Sequence, residues 1–176
     1  MNIVLTGMMG SGKTSVGKEI SQVSGMVFID TDAFIAEKYE TTIPHIFKEY
    51  GESCFRELES EVISLCAAYK NTVIATGGGA VLNPENMLKL KQGGFVVYLK
   101  CSACELYART LADSEPRPLL AKADPLAELE KILSRREALY TKFSDFTIEA
   151  QGVDVAVLAK EILKRADDEI CSNKRP

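Results

Sequence analysis

Gly7-Met8-Met9-Gly10-Ser11-Gly12-Lys13-Thr14 gathers three glycines, an ammonium and a hydroxyl within eight residues and satisfies G-x-x-x-x-G-K-[ST] at every fixed position. The chemistry of that spacing is phosphate binding. Glycines open backbone shapes closed to other residues, so successive N–H groups can turn inward onto phosphate oxygens. Lys13 brings a mobile ammonium toward β- and γ-phosphates, and the helix that begins there adds its positive end. Thr14 offers a hydroxyl to Mg²⁺, a cation that takes hard oxygen ligands and keeps several waters. Gly10, Ser11, Gly12, Lys13, Thr14 and Ser15 are therefore the expected nucleotide contacts. The bland alternative is a glycine-rich turn that binds nothing. An apolar strand pattern ahead of the motif and an amphipathic helix pattern behind it weigh against that.

Phe28-Ile29-Asp30-Thr31-Asp32 carries the next chemical pair. Two carboxylates just past the end of a strand lie where open α/β sheets bind ligands. One can hold Mg²⁺ through its waters, and the other can accept a hydrogen bond or proton from an attacking hydroxyl. Asp32 can also cap a helix starting at Ala33, and the two roles can coexist. A switch GTPase is excluded: none of the eight aspartates has a glycine three residues on, and Asn173-Lys174 leads to Pro176 where a guanine reader needs Asp. The strand at 72–76 ends in glycine rather than in a metal-holding Asp.

Arginines are the remaining chemistry. The chain has only seven, and planar guanidinium forks suit carboxylate ligands. Arg56 stands three residues before Glu59, which on its own reads as a surface helix pair. Arg136 sits between Arg135 and Glu137, where a solvated charged face is the bland reading. Arg117 lies between Pro116 and Pro118, a stiff local segment suited to presenting a guanidinium from a longer loop. Gly77-Gly78-Gly79 directly after a strand lets backbone approach a ligand, because no Cβ intervenes. Phe47 and Phe55 are candidates for a pocket wall or for plain core. Cys101-x-x-Cys104 has no second pair to make a zinc site, and the lone His45 reads as structural.

These groups must be positioned by alternating elements. Short runs rich in Val, Ile and Phe at 2–6, 27–30, 72–76, 95–99 and 145–149 predict strands. Longer amphipathic stretches at 13–24, 43–50, 52–69, 84–91, 102–111, 125–140 and 153–170 predict helices. Strands separated by helical crossovers imply a parallel sheet covered on both faces, and near-continuous apolar strands fit that burial. Residues 112–124 break the rhythm, and the polar tail at 171–176 reads as frayed.

Composition bounds the rest. The 176 residues, 46% hydrophobic and 26% charged, suit one globular domain that buries roughly 70% of its unfolded surface. A net charge of −4 and a sequence pI near 5.2 argue against a nucleic-acid partner. The apolar runs are far short of the ~20 residues of a membrane span, and Met1 leads to no basic n-region, so no signal peptide or membrane partner is expected. Five cysteines in no framework spacing suggest reduced thiols in the cytoplasm.

In order along the chain stand Gly7 to Thr14, Asp30-Thr31-Asp32, Gly51-Glu52 with Phe55-Arg56-Glu57-Leu58-Glu59, Gly77-Gly78-Gly79, Arg117-Pro118-Leu119-Leu120, and Arg136 before Leu139-Tyr140. With all six, the sequence resembles the shikimate kinase family over its whole length. The resemblance implies an α/β, three-layer P-loop kinase fold. That fold is a five-stranded parallel sheet flanked by helices, with a substrate-binding helical region at about 33–61 and a mobile lid at about 112–124, in one domain spanning 1–176. It implies a monomeric, cytoplasmic enzyme that uses ATP and Mg²⁺ to phosphorylate the 3-hydroxyl of shikimate on the route to chorismate and aromatic amino acids. It assigns catalytic roles to Lys13, Asp32 and Arg117, and shikimate contacts to Asp32, Arg56, Gly78, Gly79 and Arg136. Mg²⁺ falls to Thr14 and Asp30, and Arg109 and Arg117 join the nucleotide contacts, with residues around Gln151 beside the adenine. Glu59 is expected to orient Arg56. A related small-molecule kinase, such as one for gluconate, and a non-catalytic relative that binds ligand are the alternatives left open.

Overall fold

The computed structural model describes residues 1–112 and 124–173. Its strands are β1 (Asn2–Thr6), β2 (Val27–Asp30), β3 (Thr72–Ala75), β4 (Gly94–Lys100) and β5 (Phe146–Glu149). Its helices are α1 (Lys13–Ser24), α2 (Thr31–Lys38), α3 (Ile43–Glu49), α4 (Gly51–Ala67), α5 (Pro84–Gly93), α6 (Ala103–Ala112), α7 (Pro125–Phe143) and α8 (Val155–Asn173). A single 3-10 turn, Ala80–Leu82, links β3 to α5. Among these residues no helix is long and apolar enough to cross a membrane.

All five strands are parallel, in the order β2-β3-β1-β4-β5. The three inner strands are buried almost throughout, whereas edge strands β2 and β5 are half exposed. That explains the sequence pattern: an inner parallel strand has helices on both faces and therefore reads as an unbroken apolar run. Leu5 of β1 lies level with Ala75 of β3 and Val97 of β4, so the C-terminal strand ends emerge together. Helix α1 packs on α8 and β3, while α5 and α7 pack on β4 and α4 packs on α5.

The helix that follows the two aspartates starts earlier than expected. It begins at Thr31, and its cap is Asp30, whose Oδ1 accepts from the Asp32 N–H at 3.1 Å and the Ala33 N–H at 3.4 Å. Asp32 is thus inside the first turn and leaves its carboxylate for other work. Helix α3 is capped by Thr42, with Pro44 in its first turn where the missing N–H costs nothing. The region at 33–61 thereby falls across α2, α3 and most of α4. The last helix also runs further than expected, to Asn173. The apolar spacing of Ile162, Ala166 and Ile170 carries it past Cys171, so 171–173 are helical rather than frayed. The lid segment lies, except at its two ends, outside the described residues.

Candidate active site

The loop between β1 and α1 bends through Gly7, Gly10 and Gly12, at φ of +145°, +77° and +92°. Gly12 caps α1 with no side-chain acceptor, and the first turn of α1 holds no acidic residue. The helix therefore presents bare N–H groups and a positive dipole end to whatever sits in the loop. The Lys13 ammonium arches over that loop and donates to the carbonyls of Gly7 at 2.9 Å and Met8 at 2.8 Å. The Thr14 hydroxyl donates to Asp30 Oδ2 at 2.8 Å. Asp30 thus joins the cap of α2 to the mouth of the phosphate loop. Among the described residues no cluster of three or more His, Cys, Asp or Glu gathers into a metal cage. Thr14 and Asp30, two hard-oxygen groups in contact at the loop, fit a Mg²⁺ ion that draws its other ligands from phosphate and water.

Asp32 stands beside that mouth. Its Oδ1 is buried and has no hydrogen-bond partner among the described residues. Burial raises its carboxyl from 3.8 to about 7, with the Asp30 and Glu59 charges adding to the rise and Lys13 and Arg56 opposing it. Glu59, on α4, is 1% exposed, and burial lifts it too, against the pull of Arg56. Its Oε2 accepts from Arg56 Nη1 at 2.7 Å, while its Oε1 is buried without a partner. The two orphan oxygens converge over Gly77: a Cβ there would stand 2.6 Å from each. Glycine is required at that position because any side chain would fill the space the carboxylates face. The Gly77 N–H donates to the Thr31 hydroxyl at 2.9 Å, tying the triple-glycine loop to the aspartate pair.

Arg56 makes the helix pairs its spacing suggested, to Glu59 and also to Glu52 Oε1 at 2.9 Å. Its guanidinium lies directly over Gly79, where a Cβ would collide with it. The pairing therefore holds the fork in place over the cleft. Phe47 and Phe55 lie with ring centroids 4.7 Å apart beside it. On α7 the two neighbouring arginines separate: Arg135 is exposed, and Arg136 is 7% exposed with Nη1 donating to the Gly78 carbonyl at 3.1 Å.

Every described residue among the expected contacts lines one cleft of about 1650 Å³ at the C-terminal ends of the strands. Gly10 to Ser15, Asp30, Asp32, Arg56, Gly78, Gly79, Arg109 and Arg136 all border it. Arg117 lies outside the described residues. Arg109 bridges the cleft's far end, pairing with Glu105 at 2.8 Å and donating to the Ala150 carbonyl at 3.0 Å. There the residues around Gln151 do border the cleft, through Ala150, Val153 and Val155 with Leu158, while Gln151 itself is exposed and not among the lining residues. A helix start at Val155 turns Gln151 outward in the preceding turn. Two contributors were not singled out by residue type. Thr31 was hidden between the aspartates, and the Tyr140 hydroxyl, four residues after Arg136 on the same helical face, donates to the Gly78 carbonyl at 2.5 Å. The five cysteines form no disulfide.

A family model described as Shikimate kinase matches residues 9–167. A shikimate kinase of Caldanaerobacter subterraneus subsp. tengcongensis is 39% identical over 93% of this chain and 94% of its own length. That of Thermodesulfovibrio yellowstonii is 42% identical over 93% of each. Among solved structures, shikimate kinase from Acinetobacter baumannii in complex with shikimate superposes with a TM-score of 0.91 at 39% identity, over 99% of this chain and 95% of that one. A gluconokinase from Sinorhizobium meliloti has a TM-score of 0.58 at 16% identity over 97% of this chain and 96% of its own, which is a likeness of fold alone.

Proposed function

The chain belongs to the shikimate kinase family, and on that premise we propose that it transfers the γ-phosphoryl of ATP to the 3-hydroxyl of shikimate. The products are ADP and shikimate 3-phosphate. The observation that carries the reading is the buried, unpartnered Asp32 Oδ1, an acceptor within electrostatic reach of both Lys13 and Arg56. A substrate with a hydroxyl to activate and a carboxylate to anchor matches that arrangement.

In this mechanism Arg56 and Arg136 take the substrate carboxylate, with Glu52 and Glu59 holding the Arg56 fork. Gly78 and Gly79 meet the substrate through backbone. Asp32 accepts the 3-hydroxyl proton as that oxygen bonds to the γ-phosphorus, and the bond from phosphorus to the β–γ bridging oxygen breaks. Lys13 and the N–H groups of the loop through Gly10, Ser11, Gly12, Thr14 and Ser15 neutralise the phosphate oxygens, where in-line transfer needs charge stabilisation more than covalent chemistry. Thr14 and Asp30 would hold Mg²⁺, which when bound would supply positive charge to offset that of the phosphates. Arg109 borders the nucleotide end, and Arg117 is the residue we assign to a lid at about 112–124 that meets the transferring group on closure. We assign the activity to a single-domain monomer in the cytoplasm.

The test is coupled ADP release with Mg·ATP and shikimate, gluconate or no acceptor. Shikimate-dependent turnover is expected. Turnover with gluconate alone, or ATP binding without any acceptor-dependent release, overturns the substrate assignment.

A further inference from the structure

The triple-glycine loop is held from below by a device that the reaction chemistry does not require. Two donors one helical turn apart on α7 take the Gly78 carbonyl: Tyr140 Oη at 2.5 Å and Arg136 Nη1 at 3.1 Å. A trans peptide keeps its C=O and the following N–H on opposite sides. Drawing the carbonyl toward α7 therefore aims the Gly79 N–H away from it. Gly79 lines the cleft beneath the Arg56 guanidinium, and among the described residues its N–H has no protein acceptor.

The two donors are not equivalent. Arg136 borders the cleft and has a substrate carboxylate to serve under the reading above. Tyr140 is 0% exposed, and its ring is stacked on Tyr98 with centroids 4.9 Å apart and an interplanar angle of 19°. Burial pushes its phenol up to about 12, so it is a donor throughout the neutral range. Its hydroxyl also lies 3.5 Å from Met8 Sδ, and the Met8 carbonyl is one of the two that take the Lys13 ammonium. The strong bond is the one to the Gly78 carbonyl on the acceptor side, and the thioether contact on the phosphate side is a weak one.

We propose that Tyr140 is a positioning residue for the acceptor substrate: its hydroxyl orients the Gly78–Gly79 peptide so that the Gly79 N–H is presented to the bound hydroxy acid. The proposal rests on the shikimate reading for the identity of that acid, and on the hydrogen bonds alone for the orientation. Tyr98 supplies the control. It is a second phenol in the same stack, its hydroxyl is buried without a hydrogen-bond partner among the described residues, and it is not one of the residues that line the cleft.

Tyr140→Phe keeps the ring, the stack and the volume and removes one hydroxyl. Its KM for shikimate should rise about tenfold, the worth of one hydrogen bond, with the KM for Mg·ATP within about twofold of wild type. In ¹⁵N-labelled protein without substrate, the Gly78 and Gly79 amide resonances should move in Tyr140→Phe and stay in place in Tyr98→Phe, whose KM values should also be unchanged. An unchanged shikimate KM in Tyr140→Phe, beside a wild type that turns shikimate over, overturns the proposal. So does a loss of activity that only tracks lost folded protein, with both KM values intact. A wild type that ignores shikimate removes the substrate reading; the orientation then stands if the glycine resonances move and falls if they do not.

Discussion

Asp32 shows at a single residue how stability and chemistry pull apart. Its folded carboxyl titrates near 7 against 3.8 in the ordinary state. Between those values the folded protein holds a proton the unfolded chain has lost, so this group's contribution to stability is present at low pH and falls as pH rises through about 7. Above that, the fold carries a buried charge with an unpartnered oxygen. Asp32→Asn removes the charge and keeps the shape. It should raise the Tm at pH 8 by several degrees, with the gain shrinking toward pH 4, while turnover falls at least about 10²-fold. Thermal unfolding at the two pH values beside the ADP assay checks both halves, and a Tm at pH 8 at or below wild type would contradict the account. Of the two roles that spacing allowed Asp32, the cap belongs to Asp30, which leaves the Asp32 carboxylate available for the other. Sequence could not make that division, because Thr31 between the two aspartates is held by a distant contact: its hydroxyl accepts from the Gly77 N–H, in the loop after β3 and 46 residues away.

Elements decide which of two identical neighbours reaches the cleft. The buried stripe of α7 is Leu129, Arg136, Tyr140 and Phe143, spaced at whole helical turns, with one arginine among apolar residues. That period is what separates Arg136 from Arg135, about 100° around the same helix; in the sequence Arg136 stands out through the family resemblance, because its charged neighbours by themselves read as a solvated face. Arg136→Ala should therefore raise the shikimate KM by at least about 30-fold, whereas Arg135→Ala should stay within about twofold; equal effects from both would mean a general charge effect rather than a contact. The 3-10 turn Ala80–Leu82 was not legible, since three apolar residues carry no period. Gly79 is the residue that caps this turn, and it lies under the Arg56 guanidinium. In Gly79→Ala the new methyl meets the far end of a flexible side chain rather than backbone. The fold should survive with a Tm within a few degrees of wild type, while the shikimate KM rises at least tenfold; an unchanged KM would remove Gly79 from the substrate side.

At the scale of the whole molecule, the alternation of strands and helices was readable, but the strand order β2-β3-β1-β4-β5 was not, because pairing depends on which crossovers pass beneath the sheet rather than on any local pattern. That order puts β1 at the point where the chain reverses its direction of winding, with β3 on one side and β4 on the other. The phosphate loop after β1 therefore opens at the switch point, and the strand end that carries Gly77 lies next to it. Under the proposed function the one cleft divides into two half-sites, one built on α1 and one on α4 and α7, joined through Asp30, Thr31 and Asp32. Each half should stabilise the fold through its own ligand. A ligand at a hundred times its Kd contributes about 2.7 kcal/mol, which in a chain of this size is roughly 5–11 °C in Tm. Lys13→Met should lose the shift given by Mg·ATP and keep most of the shift given by shikimate; Arg56→Ala should do the reverse. Differential scanning fluorimetry with each ligand alone separates the halves. If either variant lost both shifts equally, the cleft would have to be one cooperative unit, and the division of its residues between two ligands would fall.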